Sequence, residues 1–128
     1  RKESSAASDV YKRQLIYDIK NEWEKSDQLY LELIDADSLD AQAFNNYAYS
    51  LVERNENIEL ALELSKSAII ISPTSAPYLD TIGWIYFKMN RLDEAIKYIK
   101  DSLSIDKNNP IIREHLDEVI KAKSELNY

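Results

Sequence analysis

One glycine in the middle of a helical pattern, inside a unit that repeats, constrains this chain more than any other feature. Gly83 is the only glycine in 128 residues. Around it, from Ala76, the chain reads A-P-Y-L-D-T-I-G-W-I-Y-F-K-M-N-R-L-D-E-A-I-K-Y-I-K-D-S-L-S-I-D-K-N-N. One unit earlier, from Ala41, come F-N-N-Y-A-Y-S-L and then E-L-A-L-E-L-S-K-S-A-I-I-I-S-P. Ala41 aligns with Ala76, Ala48 with Gly83, Leu51 with Tyr86, Ala61 with Ala95 and Ala68 with Ser102. A period of about 34 residues belongs to arrays in which each unit is a helix–turn–helix stacked on the next. A glycine inside a helix costs about 1 kcal/mol relative to alanine. Its presence here points to a partner helix that comes too close to leave room for a side chain.

The rest of the chain fits the same plan. Phe44, Tyr47, Ala48 and Leu51 recur at i, i+3, i+4, i+7, the stripe of an amphipathic helix. Its partner helix carries Ile58, Ala61, Leu62, Leu64, Ala68, Ile69 and Ile71, and Pro73 stops it. The turn Glu53–Asn57 is one residue longer than the corresponding turn of the next unit, which contains Asn90-Arg91, and this makes the first period 35 residues and the second 34. In the next unit Leu79, Ile82, Gly83 and Tyr86 form one face, answered by Leu92, Ala95, Ile96, Ile99 and Leu103. Asp40 and Asn109 are the expected N-caps of the helices that follow them, with Pro110 at a first helical position, where its missing N–H costs nothing. The last helix should bury Ile112, Leu116, Val119 and Ile120. Asp117 stands where the earlier units have Ala48 and Gly83, so this helix reads as a solvated cap, with Tyr128 as a native end. Near the start, Leu15–Lys20 reads as the tail of a first helix, and Asn21–Ser26 as the turn into a helix continuing through Leu29, Tyr30, Leu33 and Ile34.

These blocks resemble the tetratricopeptide repeat family over roughly Leu15 to Leu126. N-N-Y-A-Y-S-L, Y-L-D-T-I-G-W-I-Y-F and R-E-H-L look like C-terminal repeats of bacterial proteins of that type. The resemblance implies an all-α fold, an α-solenoid of stacked antiparallel helix hairpins. It would hold about two and a half units plus a C-terminal capping helix: a partial unit over 15–40, units over 41–75 and 76–109, and the cap over 110–128. Ser65 departs from the pattern, standing where the family usually has a large apolar residue. The resemblance also implies a concave groove lined by the first helix of each unit. Carried onto this chain, its positions are Gln42, Asn45, Tyr49, Val52 and Glu53, then Pro77, Asp80, Trp84, Phe87 and Lys88. The spacing of the fifth, ninth and twelfth residues independently makes a stripe beside the core stripe, not on it. Trp84 and Phe87 then have two readings. Either they anchor an extended peptide beside Asn45 and Asp80, or they pack against the next unit and never meet a ligand.

Residues 1–14 are expected to be foreign to the protein. Ser4 to Gln14, S-S-A-A-S-D-V-Y-K-R-Q, resembles the translation of the adapter used in transposase-based sequencing libraries. Such scars are excluded before fold reasoning, which makes Leu15 the expected start of native sequence and the chain the C-terminal piece of a longer protein. Setting aside Arg1, Lys2, Lys12 and Arg13 against Glu3 and Asp9 takes the net charge from −7 to −9. An acidic domain repels phosphate backbones, so nucleic acid is a poor partner and a basic or neutral peptide a better one.

The absence of cysteine excludes disulfides, thiolate chemistry and cysteine-based zinc sites. With one glycine there is no phosphate loop or dinucleotide fingerprint. His115, the single histidine, reads as a surface or packing residue, and Asp35, Asp37 and Asp40 as a polar turn lacking the glycine of a calcium loop. Asp93-Glu94 fits a helix first turn. No catalytic residue, metal or cofactor is expected.

The function expected is therefore a scaffold that binds a protein or peptide in the groove, in bacterial cytoplasm or periplasm. Two alternatives are a substrate-recruiting region of a larger enzyme, and a structural or self-associating module whose contacts run through Trp84 or Phe87.

Overall fold

The computed structural model describes residues 22–126, and these form six helices and no strand. They are α1 (Trp23–Ala36), α2 (Ala41–Glu53), α3 (Ile58–Ile71), α4 (Ala76–Lys88), α5 (Leu92–Ile105) and α6 (Pro110–Leu126). The adapter-like residues 1–14, the helix tail Leu15–Lys20, Asn21 and the end at Tyr128 lie outside the described residues. Connections of three or four residues fold α2 back on α3 and α4 back on α5. The hairpins then stack, α3 on α4 and α5 on α6, while the first helices α2, α4 and α6 touch in succession. The fold is an all-α solenoid of helix hairpins.

Four of the six helices begin where the sequence supplies a side-chain partner for free backbone groups. The Asp40 carboxylate accepts from the Ala43 amide at 3.0 Å, and the Asn109 side chain accepts from Ile111 and Ile112 at 3.0 and 3.2 Å. Asn57 and Ser75 cap α3 and α4 in the same way. The two hairpin turns close alike. Asn55 and Asn90 adopt left-handed φ of 54° and 61°. The next amide reaches back five residues, Glu56 to the Leu51 carbonyl and Arg91 to the Tyr86 carbonyl, each at 2.9 Å. Asparagine thus fills the position usually given to glycine. The extra residue of the first turn is absorbed by Asn57, itself left-handed at φ 37°.

Gly83 sits against α5. A Cβ built there would lie 2.5 Å from Ile99 Cγ1 and 3.2 Å from the Ala95 carbonyl oxygen, so the close approach inferred from the sequence is present. In the unit before, the equivalents of Gly83 and Ile99 are Ala48 and Ser65, both fully buried. One unit places its bulk on the second helix, and the other splits it between smaller residues. The Ser65 hydroxyl finds no hydrogen-bond partner among the described residues. Ser102, equally buried, donates to the Ala76 carbonyl at 2.6 Å and ties α5 to the start of α4.

Three core residues of α6 are as expected: Ile112, Leu116 and Val119 are buried. Ile120 is not, being 44% exposed. It shares the outward face with Asp117, and no described helix lies beyond that face to cover it.

Candidate functional site

The face carried by α2, α4 and α6 brings the implied groove residues together, though not all at the surface. From α2, Gln42 and Glu53 are exposed and Tyr49 is 44% exposed. Asn45 and Val52 are buried, at 7% and 2% exposure. The stripe expected to lie beside the core is partly inside it, because neighbouring first helices pack against each other along this face. Asn45 donates to the Asn46 side-chain oxygen at 3.4 Å, while its own Oδ1 has no partner among the described residues. Tyr49 donates to Glu53 Oε1 at 2.7 Å. Burial, that hydrogen bond and the charges of Glu53 and Asp80 push its pKa up to about 12, so it remains a neutral donor.

From α4, Pro77 and Lys88 are exposed, Asp80 and Phe87 half-buried and Trp84 nearly buried at 9%. Trp84 is layered between neighbours. The His115 ring from α6 stacks on it at 4.3 Å and 25°, Phe87 lies tilted at 5.0 Å, and Lys88 Nζ stands 5.1 Å from its centroid. His115 Nδ1 in turn lies 2.9 Å from each oxygen of Asp80. That hydrogen bond raises the pKa of His115 above its ordinary 6.5, opposed by burial and aided by the charges of Asp80, Glu118 and Glu53.

His115 was read from the sequence as a packing or surface residue, and its tie to Asp80 was missed. A signal was present: the two are 35 residues apart, one repeat length, and equivalent faces of successive first helices meet in a solenoid. A second missed feature is Arg54, which bonds Asp27 at 2.7 Å, donates to the Ser50 carbonyl and lies 4.8 Å over the Trp23 ring. It fixes α1 to the end of α2. A cleft of about 440 Å³ lined by Gln28, Leu31, Glu32, Ile34 and Asp35 lies on α1 and outside this face. Among the described residues, no group of three or more His, Cys, Asp or Glu is placed to hold a metal, and no helix is long and apolar enough to cross a membrane.

Stacked hairpins presenting a row of first-helix side chains define the chain as a helical-repeat module. The family model for the tetratricopeptide repeat matches residues 76–109. TPR repeat-containing protein PA4667 of Pseudomonas aeruginosa is 26% identical over 94 residues, which is 73% of this chain and 16% of that protein. The first TPR of Spaghetti (RPAP3), solved bound to the HSP90 peptide SRMEEVD, superposes with a TM-score of 0.84 at 18% identity, covering 92% of this chain and 93% of that one. The Sgt2 TPR domain from Aspergillus fumigatus gives 0.87 at 15% identity, covering 95% and 82%. Residues 76–109 thus match a tetratricopeptide repeat, and the described residues share the fold of tetratricopeptide repeat domains.

Proposed function

We propose that the chain binds an extended segment of another protein along the face formed by α2, α4 and α6. The observation that carries this reading is the row of polar and aromatic groups that stay accessible there. Gln42, Tyr49, Glu53, Asp80, Phe87 and Lys88 make the contacts, and Asn45, Val52 and Trp84 support them from beneath. Aromatic surface backed by rigid packing anchors a ligand at little entropic cost, and the flanking polar groups hold its backbone. The structural neighbours solved with HSP90 and HSP70 peptides lend the mode of binding, not the partner. Glu53 and Asp80 on this face disfavour peptides as acidic as SRMEEVD and favour basic or neutral ones.

Selection of a random peptide library on the whole chain tests the reading. Enriched peptides should compete with one another, and Tyr49→Ala or Phe87→Ala should weaken them about tenfold or more. Enriched peptides indifferent to both substitutions would place binding elsewhere. In a second reading, the repeats recruit substrate for a catalytic domain elsewhere in a longer protein. One observation favours it: the chain spans only 16% of the length of the curated relative it matches.

A further inference from the structure

We propose that the first-helix face takes a basic segment and that His115 gates it, the protonated imidazole competing with a lysine or arginine of the bound chain for the Asp80 carboxylate. The inference rests on the reading of that face as a peptide-binding surface. It adds the charge of the partner and a dependence on pH.

Asp80 is the point where the two cations meet. His115 Nδ1 is 2.9 Å from both of its oxygens, with 20% of the histidine side chain and 14% of the aspartate exposed. With both carboxylate oxygens already against Nδ1, a cation arriving from solvent competes with the imidazole for them. The ring is held there by its stack on Trp84. Other ionisable groups face it from each packed helix. α2 contributes Glu53 and Tyr49, α4 contributes Asp80 itself and Lys88 over the Trp84 ring, and α6 contributes Glu118. From α5, Asp93 is engaged with Lys123, eight residues farther along α6 at 2.6 Å.

Tyr49 stays neutral, so three carboxylates stand against Lys88 and one titrating histidine. When His115 carries its proton the local charge nearly balances. When it is neutral, Asp80 is left without a compensating cation, and a guanidinium or ammonium is the group that supplies one. The hydrogen bond that holds the proton on His115 raises its pKa, so the exchange is centred above the ordinary histidine value of 6.5.

Competition for one carboxylate makes the coupling reciprocal: a bound cation expels a proton to solvent, and a proton expels the cation. Below the folded pKa of His115, affinity should rise about tenfold per pH unit, and it should level off above it. The probe is an acetylated, amidated, fluorescent peptide of alternating arginine and glycine, which has no group titrating in this range. Binding to the whole chain is measured by anisotropy at physiological ionic strength between about pH 5.5 and 8.

The expected result is affinity that climbs with pH, a His115→Gln variant whose affinity is the same at both ends of the range, and loss of binding in Asp80→Asn. The His115 imidazole resonance should also shift to a lower pKa when the probe is added. A probe that fails to bind at pH 8, or pH dependence that survives in His115→Gln, would overturn the proposal. If library-selected neutral peptides still bind through Tyr49 and Phe87, the broader reading of the face stands. If they do not, both fall.

Discussion

At the scale of single residues, the Gly83–Ile99 contact shows how tightly one hairpin is fitted. A methyl at residue 83 would lie 2.5 Å from Ile99 Cγ1 and close to backbone of α5. Gly83→Ala gains about 1 kcal/mol of helix propensity, yet overpacking in a close-packed core costs about 1–3 kcal/mol. We expect a net loss of stability in denaturant unfolding. Adding Ile99→Val, which shortens the offending branch, should recover part of it, and additive effects would contradict the contact. The Gly83 approach was legible in the sequence because a glycine inside a helix needs a reason. The Asp80–His115 bond was not, since neither residue departs from helical pattern and only the stacking of units brings them together. The structure assigns it a pH signature. Because Asp80 holds the folded pKa of His115 above 6.5, the pair's contribution to stability is full below that value. It is lost as pH rises through the folded pKa. As pH rises above about 6.5 the wild type should lose stability relative to His115→Gln. Parallel curves would show that the bond contributes nothing.

Elements are bounded by their caps and turns, and here most of the structure was readable in advance. Asp40 and Asn109 cap as their chemistry suggests. The longer first turn is accommodated by Asn57 in a left-handed conformation. The left-handed turn positions Asn55 and Asn90 were not foreseen, because asparagine is also common in ordinary loops and only the backbone bonds distinguish the two uses. Asn90→Ala should cost about 1–2 kcal/mol, the penalty of a Cβ in that region without a compensating side chain. Asn90→Gly should be at least as stable as wild type, and the reverse order in thermal melts would contradict the assignment. The outward face of α6 was misjudged at one position. Helical spacing alone puts Ile120 with the core, but the face it occupies has no described neighbour, and it stays 44% exposed.

For the whole molecule, the hairpins form a one-dimensional stack in which each unit leans only on its neighbours, so stability depends on interfaces between units. Arg54 serves one such interface, with 11% of its side chain exposed against Asp27 and its guanidinium over Trp23. Arg54→Ala should loosen α1 more than α4 or α5. Hydrogen exchange should show faster opening over residues 23–36, and uniform acceleration would argue against nearest-neighbour coupling. With an array this short, near the minimum of about three units for independent stability, the melting temperature should lie low among mesophile domains.

Which side of the stack meets a partner is measured directly by amide shift mapping on the whole labelled chain. On addition of a library-selected peptide, the largest shifts are predicted at Tyr49, Glu53, Asp80, Phe87 and Lys88. Shifts centred on the exposed residues of the second helices, Ile70 and Ile105, would contradict it.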